Sequence, residues 1–358
     1  MIANLLGRSL LLLSMAVVLL PLSAAHADDP ATFYRGKQLN LIVGYGPGGG
    51  YDVYARVLAR HLGRHMPGQP GVIVQNMPGA GSLVATNYLY ARAPKDGLTF
   101  GIFARNMPLI GLIASITNAG NRNARFDARK FTWLGSSSSY ANDAYLLLLR
   151  KDAQIKSIAD ARRPNAPPLL IGSTAEGTSS DAMPTVLRDL VGFNVKAISG
   201  YTDSGQLFLA MDRGEIEGRT VGLSAVRSNK PGWLAPDGPM RVLLVFGRDT
   251  RHPDFPDTPT VRELARGEAE RRLIEAIEVP YKLSRPFAAP PGVPPDRAAA
   301  LQRAFIAMHA DPLYLEDAAK AGLDVSPIGA AEILALIERV AEMPPDMLRS
   351  IEKLIEGG

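Results

Sequence analysis

The sequence predicts an α/β fold of two domains, each a mostly parallel sheet flanked by helices. Short apolar strands alternate with helices in the first third of the chain and again in its middle, the alternation that builds parallel sheets. The turns joining strand to helix are rich in glycine. About 330 residues follow an N-terminal leader, enough for two domains of ordinary size.

The leader opens with one basic residue, Arg8, runs through an apolar stretch from Leu10 to Leu20, and ends in Ala25-His26-Ala27. That order marks a secretory signal with cleavage after Ala27. A membrane anchor would need ~20 apolar residues and no cleavage site. The expected mature chain begins at Asp28 and is soluble and exported. It has no cysteine, so it forms no disulfide and carries no lipid on an N-terminal thiol. The 39 basic residues against 35 acidic are scattered, which excludes a nucleic-acid stripe.

The elements follow in order. Residues 39–44 form an apolar strand, the turn Gly46-Pro47-Gly48-Gly49-Gly50 follows, and Val53, Val57, Leu58, Leu62 and Met66 recur at helical spacing until Pro67-Gly68. Val72-Ile73-Val74 is a second strand, Pro78-Gly79-Ala80-Gly81 a second glycine turn, and a helix leads through Pro94-Lys95-Asp96-Gly97 to a strand over 98–103. The middle repeats the pattern: strand 169–172, polar loop 173–180, helix 181–191, strand 194–198, helix 206–213, and strands 218–221 and 241–246. The last third predicts helices over 295–309, 312–321 and 330–343, then a short one ending at Ile355. The proline-rich run 288–295 reads as a surface loop.

The glycine turn carries the most chemistry. Tyr45, Gly46, Gly48, Gly49, Gly50, Tyr51 and Asp52 join a strand to a helix, where unobstructed backbone N–H groups and the helix N-terminus favour an anion. Asp52 is placed as the N-cap of a helix beginning near Val53. The pattern Gly44-x-Gly46-x-x-Gly49 also matches the dinucleotide fingerprint, but the next strand ends in Gln75-Asn76 rather than an acid. No Gly-Lys-Ser/Thr follows, which excludes a P-loop. A tight turn without a ligand stays open as the plainer reading.

The counterpart in the second domain is the loop 173–180, with Ser173, Thr174, Gly177, Thr178 and Ser179 as candidate ligand contacts and Ser180 as helix cap. Tyr201 and Asp203, after the next strand, are a candidate wall. Ser82 is placed as the cap of the helix after the second glycine turn. Catalytic sets are poor: there is no thiol and no G-x-S-x-G elbow. His61 and His65 stand four apart, but Leu62 occupies the place of the glutamate in a zinc-protease helix. No metal or cofactor is expected.

These residues resemble the substrate-binding receptors of tripartite tricarboxylate transporters, the Bordetella-type uptake receptor family. The resemblance rests on residues 41–52 with Ala55-Arg56, on Gln75-Asn76-Met77-Pro78-Gly79-Ala80-Gly81, on Pro94-Lys95-Asp96-Gly97, on Phe126-Asp127 with Phe131, on Gly200-Tyr201 with residues 209–215, on residues 255–260, and on residues 286–292. It implies a two-lobed Venus-flytrap protein of the periplasm, a monomer and not an enzyme. One ligand carboxylate would be held by the loops 46–52 and 173–180, partly through ordered water. Two integral membrane subunits would accept the ligand. The expected first lobe comprises residues 28–131 and 249–358, the second 132–248, after a leader over 1–27. Where many members carry Tyr-Lys-Gly, this chain has Tyr201-Thr202-Asp203, a lost cation that argues against a multiply charged tricarboxylate. The competing reading is a secreted α/β enzyme acting on a small anionic metabolite.

Overall fold

The computed structural model describes residues 29–117, 123–139, 141, 143–174 and 179–355. The leader, and Gly177 and Thr178 of the second-lobe loop, lie outside the described residues.

Two mixed sheets flanked by helices form the two lobes. Their strands are, in chain order, β1 (Gln38–Val43), β2 (Gly71–Asn76), β3 (Thr99–Ile102), β4 (Thr132–Ser136), β5 (Tyr145–Arg150), β6 (Leu169–Gly172), β7 (Val195–Ile198), β8 (Gly218–Gly222), β9 (Met240–Phe246), β10 (Pro286–Ala289) and β11 (Ile328–Gly329). The first sheet has the order β11-β4-β10-β3-β1-β2 and the second β7-β6-β8-β5-β9. Parallel pairing is confined to β2-β1-β3 and to β7-β6-β8, the strand–helix units visible in the sequence. The other pairs are antiparallel, so neither sheet is mostly parallel.

The mixed character comes from strands that the pattern left unread. β5, Tyr-Leu-Leu-Leu-Leu-Arg, is buried along its length apart from Arg150 and shows no period-two alternation. β10 lies inside the first sheet, and Ala288 and Ala289 have no exposed surface, so the start of the run read as a surface loop is core. Small residues fit there between β3 and β4.

Two boundaries differ from those drawn from the sequence. β4, placed at the start of the second lobe, pairs with β10 and β11 in the first sheet. The last helix, Pro345–Ile355, packs against helix Ser179–Asp189 of the second lobe as well as against Met107–Thr117 and Glu268–Lys282. Its apolar face (Leu348, Ile351, Leu354 and Ile355) requires that cover. One apolar cluster runs from Phe103 and Trp133 of the first lobe to Tyr145, Leu147 and Met183 of the second, so the lobes share a core.

His309 ends the helix Pro295–His309 in a buried position, its Nδ1 donating to the Phe305 carbonyl at 2.7 Å and its Nε2 facing the Ser137 hydroxyl at 2.8 Å. Burial pushes its pKa down from 6.5 to about 4. The unfolded chain therefore binds more protons than the folded one between these values, and stability falls as pH falls through that window. The full loss is about 3 kcal/mol. Glu278, whose carboxyl burial raises to about 6, acts in the opposite sense from pH 4.5 to 6. Comparing wild type with His309→Gln separates the two: between pH 7 and pH 5 urea unfolding is expected to show wild type losing stability and the variant, left with the Glu278 effect, gaining it. Parallel pH profiles would contradict the assignment.

Candidate functional site

The first glycine turn lies at the C-terminal edge of β1, where a parallel sheet opens to ligands. The helix behind it begins at Gly50 with Gly49 in the cap position, three residues earlier than expected. Asp52 is therefore not the N-cap. It sits in the first turn, buried, and its carboxylate accepts from the Gly48 N–H, Arg56 Nε and Asn76 Nδ2, each at 2.8 Å. Burial alone would raise the carboxyl, but these hydrogen bonds and the Arg56 charge hold it below the ordinary range. Asp52 ties the loop to β2, and Asn76 completes the tie by donating to the Tyr45 carbonyl at 2.9 Å. Gly48 is the loop residue with left-handed backbone, φ 82°. Gly46, Gly48 and Gly50 carry exposed or half-exposed backbone at the turn.

The second glycine turn supports the first from behind. Ser82 stands at the cap position of helix Leu83–Ala91, but its hydroxyl accepts from the Ala104 N–H at 3.1 Å rather than capping. A Cβ on Gly44 would lie 1.8 Å from that hydroxyl oxygen. Glycine at 44 thus lets the two turns pack together.

Two arginines complete the first-lobe wall. Arg105 follows β3, and its backbone N–H donates to the Tyr51 hydroxyl at 3.1 Å while its guanidinium lies 4.9 Å from the ring centre of Tyr145. Arg285 precedes β10 and lies 4.8 Å from the ring centres of both Tyr51 and Tyr54. Both arginines are more than nine-tenths buried. Burial raises the Tyr51 hydroxyl, yet the two guanidinium charges and the Arg105 hydrogen bonds outweigh it and bring its pKa below the usual value. Positive charge thus stands beside the Tyr51 hydroxyl. Tyr45 stacks on Tyr51 at 4.6 Å, and Tyr145 of β5 stacks on Tyr281 at 4.6 Å.

The second lobe faces this wall. Where the lobes meet, Asn106 and Leu109 stand on one side of a narrow gap and Ser179, Ala182 and Met183 on the other. Ser179 begins the helix, so Ser180 lies inside it rather than capping it, and Pro184 falls in the helix interior. Ser173 is buried and hydrogen-bonds Ser199 at 2.9 Å and Asp181 at 3.2 Å. The Thr174 hydroxyl lies 2.9 Å from that of Ser180. Tyr201 and Asp203 have other roles in the second lobe. Asp203 caps helix Ser204–Arg213 through the Gln206 N–H, and Tyr201 packs against the Phe208–Trp233 core. Among the described residues no group of acids and histidines could hold a metal ion.

With this geometry in place, comparison with known proteins gives a definite relation. The model of the tripartite tricarboxylate transporter family receptor matches residues 54–344. The chain belongs to that family. This receptor is 27% identical over 302 residues to a UPF0065 protein of Bordetella pertussis, a match covering 84% of this chain and 83% of the relative. Its fold is that of the periplasmic binding protein BugD, with TM-score 0.66, 19% identity, and 90% and 98% of the two chains covered. It is also that of a Rhodopseudomonas palustris protein solved with adipate, with TM-score 0.64, 20% identity, and 89% and 97% covered. The family is one of periplasmic transporter receptors, which are not enzymes.

Sequence reasoning missed Arg105, Arg285, Tyr145 and Tyr281 in this receptor. One signal was available for Arg105: it stands three residues past a fully buried parallel strand, at the edge where ligands bind. Tyr281 comes from helix Glu268–Lys282 and Arg285 from the bend between it and β10, far along the chain, and nothing local marks them. Arg219 of β8 was missed too. It is buried against Phe208 at 4.6 Å and donates to Ser204, and burial lowers its pKa to about 10.

Proposed function

We propose that this receptor captures a small carboxylate between its lobes and delivers it to two integral membrane subunits of a tripartite transporter. It acts as a monomer after export and cleavage of the leader. The observation that carries the reading is the convergence of Arg105 and Arg285 on Tyr51, beside the glycine turn and across from Tyr145 of the second lobe. Two buried guanidiniums in one place concentrate positive charge, and an anion beside them gains more there than it would in water. A ligand carboxylate supplies that anion and accepts from two such donors at once. The aromatic faces hold the guanidinium planes in place before the ligand arrives. Ser173, Thr174 and Ser179 add second-lobe hydroxyls when the lobes close. The adipate bound to the Rhodopseudomonas protein is consistent with a carboxylate ligand here.

Closure follows from differential affinity. The open form offers one lobe's contacts and the closed form both, so ligand shifts the population toward closure. A thermal-shift screen of mono-, di- and tricarboxylates is expected to give at least one ligand that raises the melting temperature. At a hundredfold excess over Kd the gain is about 2.7 kcal/mol. The same ligand is expected to reduce the radius of gyration in solution scattering. If no carboxylate does either, the reading is wrong.

A further inference from the structure

We propose that Asp324 is the positioning residue for Arg285, fixing that guanidinium before a ligand carboxylate reaches it. The inference rests on the carboxylate-receptor reading and adds how one of its two charges is held in place. The two chain crossings between the lobes meet at Arg285. The first runs over residues 137–144, between β4 and β5, and the second ends at Arg285, directly before β10. The Ser137 N–H donates to the Arg285 carbonyl at 3.0 Å, and the Arg285 N–H donates to the Ser136 hydroxyl at 3.0 Å. That hydroxyl donates in turn to the Ser138 carbonyl at 2.7 Å, which also accepts from the Ser284 N–H at 3.1 Å. The Ser138 hydroxyl donates to the Asp324 carboxylate at 2.6 Å. Asp324 is thereby linked through Ser138 and Ser136 to the backbone of Arg285.

A second route leads from Asp324 to the Arg285 side chain. The Asp324 carbonyl accepts from the Tyr54 hydroxyl at 2.8 Å, and the Tyr54 ring centre lies 4.8 Å from the Arg285 guanidinium. The two routes close a ring through Asp324, Ser138, Ser136, Arg285 and Tyr54. Ser136, Ser138, Tyr54 and Arg285 are all more than nine-tenths buried, so water competes little for these contacts. The carboxylate oxygen that takes the Ser138 hydroxyl also accepts from Ser326 at 2.6 Å. The Ser326 hydroxyl accepts from the Ser139 N–H at 3.0 Å, a second tie from Asp324 to the first crossing. A guanidinium already fixed in this way loses less rotamer freedom when a carboxylate binds than a free one would.

The experiment is calorimetric titration of the mature protein with adipate, malate and citrate. The acid that binds wild type most tightly is then used on the variants. Asp324→Ala is expected to weaken it about tenfold or more, and Ser138→Ala, which cuts the same link by removing one hydroxyl, about threefold or more. Asp324→Asn keeps an oxygen for both serines and is expected to recover most of the affinity. In Arg285→Met there is no guanidinium to position, so adding Asp324→Ala is expected to change affinity by less than about twofold. Thermal melting reports whether each variant folds; if Asp324→Ala does not, Ser138→Ala decides. Wild-type affinity in folded Asp324→Ala or Ser138→Ala would overturn the positioning role and leave the receptor reading standing. So would an equal loss from Asp324→Ala with and without Arg285, the result a merely structural role predicts. If no carboxylate binds wild type, the receptor reading fails and this inference with it.

Discussion

Replacing Arg105 and Arg285 together with methionine is expected to abolish carboxylate binding while the protein stays folded. A hydrogen bond to a charged group contributes about 1.5–3 kcal/mol, so two such donors correspond to roughly 10²–10⁴ in Kd. Methionine retains length and polarisable contact with the rings of Tyr51, Tyr54 and Tyr145 that the guanidiniums now cover. The Tyr51 hydroxyl keeps the backbone N–H of residue 105, which any residue but proline supplies. Calorimetry with the tightest wild-type ligand measures the loss, and circular dichroism with thermal melting checks the fold. A second readout follows from the same pair. With both positive charges gone, the tyrosine absorbance titration is expected to lose a component that ionises early, because Tyr51 is no longer held below the ordinary tyrosine value. A folded double variant that binds like wild type would move the site elsewhere.

The second large effect is on stability. Gly44→Ala is expected to destabilise the protein by about 2–4 kcal/mol, combining overpacking with loss of one buried hydrogen bond. The added Cβ would stand 1.8 Å from Ser82 Oγ and 2.9 Å from Ser82 Cβ, so Ser82 must move and release the Ala104 N–H. Ser82 has little freedom to do so, since it sits at φ 88° between Gly81 and a helix. Ser82→Gly removes the colliding atoms and suits that left-handed backbone. The double variant Gly44→Ala, Ser82→Gly is therefore expected to recover much of the loss. Urea unfolding of the three variants measures this, and either a harmless single variant or an absence of rescue would refute it.

The sequence was most legible where an element presents one face to solvent. Helix Pro295–His309 and the start of the next at Pro312 carry proline at the first turn and apolar residues at helical spacing, and both begin where the sequence places them. β1, β2 and β3 were legible because glycine turns punctuate them. Three other buried elements were not. Helix Met107–Thr117 is apolar through most of its length, and β5 and β10 lack alternation, so periodicity had nothing to report. The candidate site divides the same way. The glycine turn was visible as a local motif, whereas its capping chemistry was misread at Asp52, because only the fold brings Asn76 of β2 to that carboxylate.

By itself the sequence determined an α/β chain of two lobes, its glycine turns, and its membership of a receptor family. These follow from local backbone preference and from short motifs whose residues are neighbours in the chain. Only the tertiary structure decided which strands run antiparallel, that β4 joins the first sheet, and that the last helix lies against the second lobe. It also brought Arg105, Tyr145, Tyr281 and Arg285 together from positions spread over 180 residues of chain. A cation that meets its aromatic partners across such separations leaves no period or spacing in the sequence. Its burial and its charge environment exist only once the sheets and helices have closed around it.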